Sequence, residues 1–491
     1  MINKSEYSHF KQVTEKVSLG KEIPQMGLEG NKNLHVLVLT YPTQGHVNPM
    51  LQFCKSLSSK GVDTTVAVTK FIFNTFNPKS DASNTIQWDT ISDGFDEGGF
   101  SAATSIEDYL ETMKKAGSKT LTELIKRHQD LGHPIDAVVY DALMPWALDI
   151  AKSFNLTAAT FFTMPCSVNL IYYYVDRGLV RLPVPKDSYP VCLPSLPPLM
   201  PPDMPSFIYV PESYPQYLYL LLNQMPNIEG ADYILVNSIH EFEPLETDAM
   251  AKIGPTLLTI GPTIPSYYID KSYENDKKYE LDLFKIEPKE ASSTREWLKT
   301  KPKGSVIYVS FGSMAKLNTT QMAELAAGLV ESNYYFIWVV RASEEEKLPK
   351  GFAPEKGLVL RWSSQLEVLS NEAIGSFFTH SGWNSTLESL CLGVPMVAMP
   401  QWTDQPTTGK YVADVWKVGV RVKVGEDGIV GKDEIKACVK AVMEGERAIE
   451  FKQNALKWKQ LGLGALREGG SSSKHIDEFI SGLRDKIIPS V

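Results

Sequence analysis

Residues 34–69 read LHVLVLTYPTQGHVNPMLQFCKSLSSKGVDTTVAVT. Residues 34–40 are an apolar, β-rich run, expected to form a buried strand. The run breaks at Pro42 to Gly45 in a turn. A helix is then expected from about residue 46 to 60, closed by Gly61, a residue suited to a left-handed stop. Residues 62–69 return to strand-forming sequence. A strand, a turn into a helix and a second strand is the opening unit of a parallel sheet covered by helices.

The same alternation continues outward. Further strands are expected at residues 136–140, 157–163, 233–237 and 257–260, with helices between them, one opened by the Ser105-x-x-Asp108 capping pattern. Residues 182–211 are rich in proline, which neither helix nor central strand tolerates, and read as a long loop. A charged, irregular segment over residues 265–296 reads as an interdomain linker. The alternation restarts near Trp297, with strands expected at 305–310, 335–340, 358–361, 374–379 and 395–399, and a last helix near 472–483. The predicted class is α/β, two doubly wound Rossmann-like domains facing a cleft, with ligands at the carboxyl ends of the strands.

Composition narrows the function. The chain has 491 residues, enough for two domains. It is 43% hydrophobic and 22% charged, with no apolar run long enough to span a bilayer. Residues 1–32 are polar, lack the apolar core of a signal peptide and are expected to be a flexible tail, with Met26 a candidate alternative start. Against 49 basic residues stand 58 acidic ones, for a net charge of −9, and no basic cluster marks a nucleic-acid partner. Five widely spaced cysteines show neither zinc-site pairing nor disulfide density, and suit a reducing cytoplasm.

The densest chemistry lies in residues 362–405, WSSQLEVLSNEAIGSFFTHSGWNSTLESLCLGVPMVAMPQWTDQ. His380 follows a strand, Ser381-Gly382 turns the backbone, and Asn384-Ser385-Thr386 opens a helix. Free N–H groups at a helix start suit a diphosphate. Glu388 stands one turn on, where a carboxylate accepts from a ribose diol. Trp362 offers a flat face to a base, and Asp404-Gln405 an acceptor and an amide to sugar hydroxyls. Singly, each has a plainer reading, as a core tryptophan or a helix cap.

Together, in this order and spacing, they resemble the signature box of the plant secondary-product glycosyltransferases of family 1, and the similarity runs from about residue 34 to the last helix. The resemblance implies a GT-B fold: an acceptor-binding domain over 33–264, a UDP-sugar domain over 297–470, and a final helix, 471–491, packing back on the first domain. It places Trp362 on uracil, Ser363 and Gln365 near the uridine, Glu388 on the ribose, His380 and Ser313 at the β-phosphate, and Asn384 and Ser385 at the α-phosphate. Trp383, Asp404 and Gln405 face the sugar, and the terminal Gln is associated with glucose. Ser381 departs from the family's usual Cys.

Glycosyl transfer with inversion needs one base on the acceptor. His46, at the first strand-to-helix junction, and Asp141, at the end of the Val138-Val139-Tyr140 strand, are candidates, although each alone also reads as a helix cap. The resemblance makes His46 the base and Asp141 its orienting partner. Thr163 is expected to reach the sugar. No cofactor or metal is expected, and no Asp-x-Asp triplet is present. The expected partners are UDP-glucose and a small apolar acceptor (a phenolic, carboxylic acid, terpenoid or steroid), the expected state is monomeric, and the acceptor walls are sought among Phe95, Phe100, Met144, Trp146, Met164 and the proline-rich loop. A nicotinamide oxidoreductase is disfavoured, since Gly462-Leu463-Gly464 lacks the third glycine and lies in helical sequence.

Overall fold

Strands with both faces covered must be apolar throughout, and this decides where they lie in the fold. In the first half, β1 (His35–Leu39), β4 (Ala137–Asp141) and β5 (Thr157–Phe162) are buried at every residue. They sit centrally with β2 (Asp63–Thr69), β3 (Ile86–Ile91), β6 (Tyr233–Val236) and β7 (Thr256–Thr259) in a parallel sheet ordered β3-β2-β1-β4-β5-β6-β7. The second half holds β8 (Val306–Ser310), β9 (Tyr335–Val339), β10 (Gly357–Leu360), β11 (Ile374–Thr379), β12 (Met396–Ala398) and β13 (Gly419–Arg421), ordered β10-β9-β8-β11-β12-β13. This computed structural model describes residues 33–76, 86–268, 276, 279 and 288–487. The tail expected over residues 1–32 lies outside the described residues.

Two strands escaped the sequence reading, and both are edge strands. In β3 only the end residues Ile86 and Ile91 are buried, so IQWDTI shows no apolar run, and β13 is three residues long. The stretch expected to be linker over residues 265–296 needs correction, because the helix Pro288–Lys299 begins inside it. Its surface is mostly polar and charged, which hides the few inward positions such as Thr294 and Leu298. The proline-rich stretch is a loop broken by short turns and the four-residue helix Ser206–Tyr209.

The order of strands reverses between β1 and β4, and again between β8 and β11. Loops leaving neighbouring strands at such a point diverge and open a crevice. The helix Gln44–Ser59 leaves β1, and the helix Trp383–Leu392 follows β11. The last helix, Ser471–Ile487, returns to the first sheet. Its Ile476, Phe479, Ile480 and Leu483, spaced i, i+3, i+4, i+7, lie buried in that sheet's core. Ion pairs Lys60–Asp477 (2.7 Å) and Lys486–Asp232 (2.8 Å) flank this contact. Tryptophan N–H groups join the halves: Trp383 Nε1 donates to the Asn237 carbonyl (2.6 Å), and Trp416 Nε1 to that of Phe242 (3.0 Å). No helix among the described residues is long and apolar enough to cross a membrane.

Candidate active site

His46 enters the cleft from the first turn of the helix after β1, and Asp141 is the last residue of β4, its neighbour in the sheet. The crevice at the first switch point therefore brings together two residues 95 positions apart: His46 Nδ1 and Asp141 Oδ2 are 2.7 Å from each other. Asp141 is 1% exposed and its other oxygen accepts from the Leu143 N–H (2.9 Å), so the carboxylate has little freedom to turn. With Nδ1–H donated to Asp141, Nε2 carries the lone pair. Thr163 Oγ1 stands 3.3 Å from the same Nδ1, and the residue lines the cleft beside the imidazole. The Tyr41 ring packs on the His46 ring, with centroids 5.4 Å apart. The pattern of Tyr41 in sequence, a single aromatic after a strand, carries no signal of this contact.

The second switch point faces the first. His380, one residue past β11, lies with its Nε2 between two glycines. A Cβ on Gly312 would fall 2.8 Å from that nitrogen and one on Gly382 2.7 Å, so no other residue fits at either position without displacing the ring. Gly312 also adopts φ +71°. Burial, reinforced by the Arg341 charge, lowers the His380 pKa to about 4, so this ring is neutral at physiological pH. The loop bearing Ser313 is held from beneath by Arg341, whose guanidinium donates to the carbonyls of Gly312 and Ala315. Arg341 was not singled out in the sequence, because an arginine ending a strand is indistinguishable from a surface charge.

The helix Trp383–Leu392 starts at the floor of the cleft. Its first N–H, that of Trp383, is taken by Asp404 Oδ2 (3.1 Å), and those of Asn384 and Ser385 have no acceptor within the helix. Asn384 Nδ2 donates to the carbonyl of Gly45 (2.8 Å), the residue before His46, and so ties the start of this helix to the turn that carries His46. The Trp383 indole is buried in the junction between the halves, 3% exposed and against Trp416. Gln405 turns its Oε1 onto the N–H groups of Gln401 (2.9 Å) and Trp402 (3.1 Å). Its NH2 is then the group it has to offer a sugar hydroxyl.

Glu388 is 4% exposed, and burial pushes its carboxyl up to about 7, opposed by hydrogen bonds from Gln365 Nε2 (2.8 Å) and the Tyr279 hydroxyl (3.0 Å). Gln365 also reaches Ser385 Oγ (2.8 Å). Trp362 and Ser363 complete this end, where Ser363 Oγ meets the Tyr308 hydroxyl (3.0 Å). Tyr279 comes from irregular sequence and nothing there marked it.

Apart from Asp141, Arg341, Gln401 and Trp416, these residues line one cleft of about 360 Å³. At its first-domain end the walls are Tyr41, Leu143, Met164, Phe207, Tyr217, Leu221 and Trp402. Of the residues and segments sought there from sequence, Met164 and the proline-rich loop, through Phe207, line the cleft. Phe95 and Phe100 pack on Tyr109, while Met144 and Trp146 belong to the core under the helix Ile106–Asp130. Their sequence neighbourhood could not separate core from pocket, because both are apolar.

A family model described as UDP-glucoronosyl and UDP-glucosyl transferase matches residues 283–462. The chain is 52% identical over 463 residues to UDP-glycosyltransferase 74F2 of Arabidopsis thaliana, covering 93% of this chain and 100% of that protein. It is 50% identical over 459 residues to flavonol 7-O-beta-glucosyltransferase UGT74F1 of the same organism, covering 92% and 99%. A solved structure of Os79 from O. sativa in complex with UDP superposes with a TM-score of 0.85 at 36% identity, over 91% of this chain and 100% of that one. A shared fold alone leaves sequences free to diverge far beyond this. Identity of this extent, carried along nearly the whole length, shows that the chain belongs to the plant family 1 UDP-glycosyltransferases.

Proposed function

We propose that this member of the family is an inverting glucosyltransferase that moves glucose from UDP-glucose to a hydroxyl or carboxyl group of a small apolar acceptor by direct displacement. The observation that carries the reading is the His46–Asp141 pair at 2.7 Å, tied through Gly45 to the start of the donor helix. In this scheme His46 Nε2 takes the acceptor proton as the acceptor oxygen attacks the anomeric carbon from the face opposite UDP. Asp141 holds the required tautomer and stabilises the imidazolium that forms. The bond to UDP breaks as the new bond forms, which turns an α-linked donor into a β-glucoside, or into a β-linked glucose ester where the acceptor is a carboxyl group.

Charge on the departing UDP falls on the N–H groups of Asn384 and Ser385, with His380 and Ser313 beside them, an arrangement suited to transfer without a divalent cation. Trp362 stacks on uracil, Glu388 accepts from the ribose, and Asp404 and Gln405 hold the sugar. The aromatic walls at the acceptor end suit phenolics, terpenoids, steroids and aromatic acids, and the flavonol named for the relative UGT74F1 is of this kind. The proposed state is a monomer, and five free cysteines suit the cytoplasm.

Asp141→Ala is expected to cut turnover by about a hundredfold to ten-thousandfold while UDP affinity stays near that of the wild type. Trp362→Ala is expected to do the reverse, chiefly weakening donor binding. A calorimetric UDP titration run beside a rate assay reads both, and an Asp141→Ala enzyme with undiminished turnover would remove the base from the scheme.

A further inference from the structure

Thr403 directly precedes the Asp404-Gln405 pair, and it is a β-branched residue at φ 55°, a region such residues rarely occupy. Both of its backbone polar groups are bound by one residue of the other half of the molecule. The Ser206 N–H donates to the Thr403 carbonyl (2.8 Å), and the Thr403 N–H donates to Ser206 Oγ (2.7 Å). The Thr403 hydroxyl in turn hydrogen-bonds Asp404 Oδ1 and accepts from the Asp404 N–H, so the backbone twist at Thr403 sets the direction of the Asp404 carboxylate. That carboxylate also receives the first N–H of the donor helix.

The approach of Ser206 is itself enforced. Asp203, three residues earlier, pairs with Arg421 (2.7 Å) and Lys410 (3.3 Å), and its carbonyl accepts from Thr407 Oγ1 (2.8 Å). On the other side the Phe207 ring meets that of Trp402, with centroids 5.9 Å apart. The loop that walls the acceptor space is thus clamped onto the segment that carries the sugar-facing pair.

We propose that Ser206 is a positioning residue for donor-sugar recognition: by locking the left-handed backbone of Thr403 from across the cleft, it holds Asp404 and Gln405 where they distinguish the hydroxyls of glucose. The proposal rests on the reading of Asp404 and Gln405 as the sugar contacts. It separates two parts of the donor, since a displaced pair harms recognition of the hexose but leaves the uridine and phosphate contacts as they are.

The test compares Ser206→Ala, Ser206→Thr and Gln405→Ala with the wild type, measuring KM and kcat for UDP-glucose and UDP-galactose, the affinity for UDP, and the thermal midpoint. Ser206→Ala is expected to raise KM for UDP-glucose by about fivefold to tenfold and to narrow the preference for glucose over galactose, with unchanged UDP affinity. Ser206→Thr, which keeps the hydroxyl, is expected to restore both. If Ser206→Ala leaves KM and sugar preference intact while Gln405→Ala alters them, the positioning role is wrong and the sugar pair stands. If neither variant alters them, the reading of the sugar pair falls with it. A parallel loss of UDP affinity in Ser206→Ala would make the clasp a general support of the fold, and would also overturn the proposal.

Discussion

Glu388 places a pH-sensitive carboxyl at the wall of the cleft. Its carboxyl is raised to about 7 by burial, with Gln365 and Tyr279 donating to it. A folded-state pKa above the unfolded one means that its contribution to stability is full in acid and is lost as pH rises through about 7. In the proposed reading ribose hydroxyls donate to the ionised form, so binding has the opposite sense and gains as the group ionises. The affinity of the wild type for UDP-glucose, divided by that of Glu388→Gln, is expected to rise roughly tenfold between about pH 6 and pH 8. UDP-glucose is the right probe because its phosphates, unlike the terminal phosphate of UDP, do not titrate in this range. A flat ratio in equilibrium titrations would mean that the ribose does not use this carboxylate.

Among the elements, the final helix shows how a segment at the end of the chain becomes part of the first core. Phe479 is fully buried, with its ring 6.1 Å from that of Phe53 and 5.2 Å from that of Tyr233. Phe479→Ala deletes a ring from a packed interior, and is expected to destabilise the first half by about 3–5 kcal/mol. Chemical denaturation followed by tryptophan fluorescence measures this, and a shift under 1 kcal/mol would mean that the helix docks without contributing to the core. The existence of this helix was readable from sequence, and so was the strand alternation, because each rests on residues close together in the chain. The edge strands β3 and β13 and the helix Pro288–Lys299 were not, because elements covered on one side carry few apolar residues.

Across the whole molecule the two halves are joined by bonds from buried indoles rather than by a broad apolar face alone. Trp383→Phe keeps a ring in place but leaves the buried carbonyl of Asn237 without its donor. This is expected to cost about 1–3 kcal/mol, seen as a lower denaturation midpoint. If the midpoint does not move, the junction is held by its other contacts, among them Trp416 to Phe242 and Tyr411 to Glu246.

The sequence by itself determined the two runs of parallel strands, the donor box of residues 362–405, and the identity of His46 and Asp141 as candidates. Each of these is a local pattern: burial on both faces of a strand forces a continuous apolar run, and a helix start that cradles a ligand needs its small and polar residues in one contiguous stretch. Only the tertiary structure decided that Thr163 sits on the imidazole, that Asn384 binds Gly45 across 339 positions, that the Trp383 indole faces the domain junction, and which apolar residues wall the acceptor space. Those outcomes depend on how two sheets and their loops meet. A side chain's neighbours from distant segments, rather than its flanking residues, set whether it packs, bonds or lines the cleft.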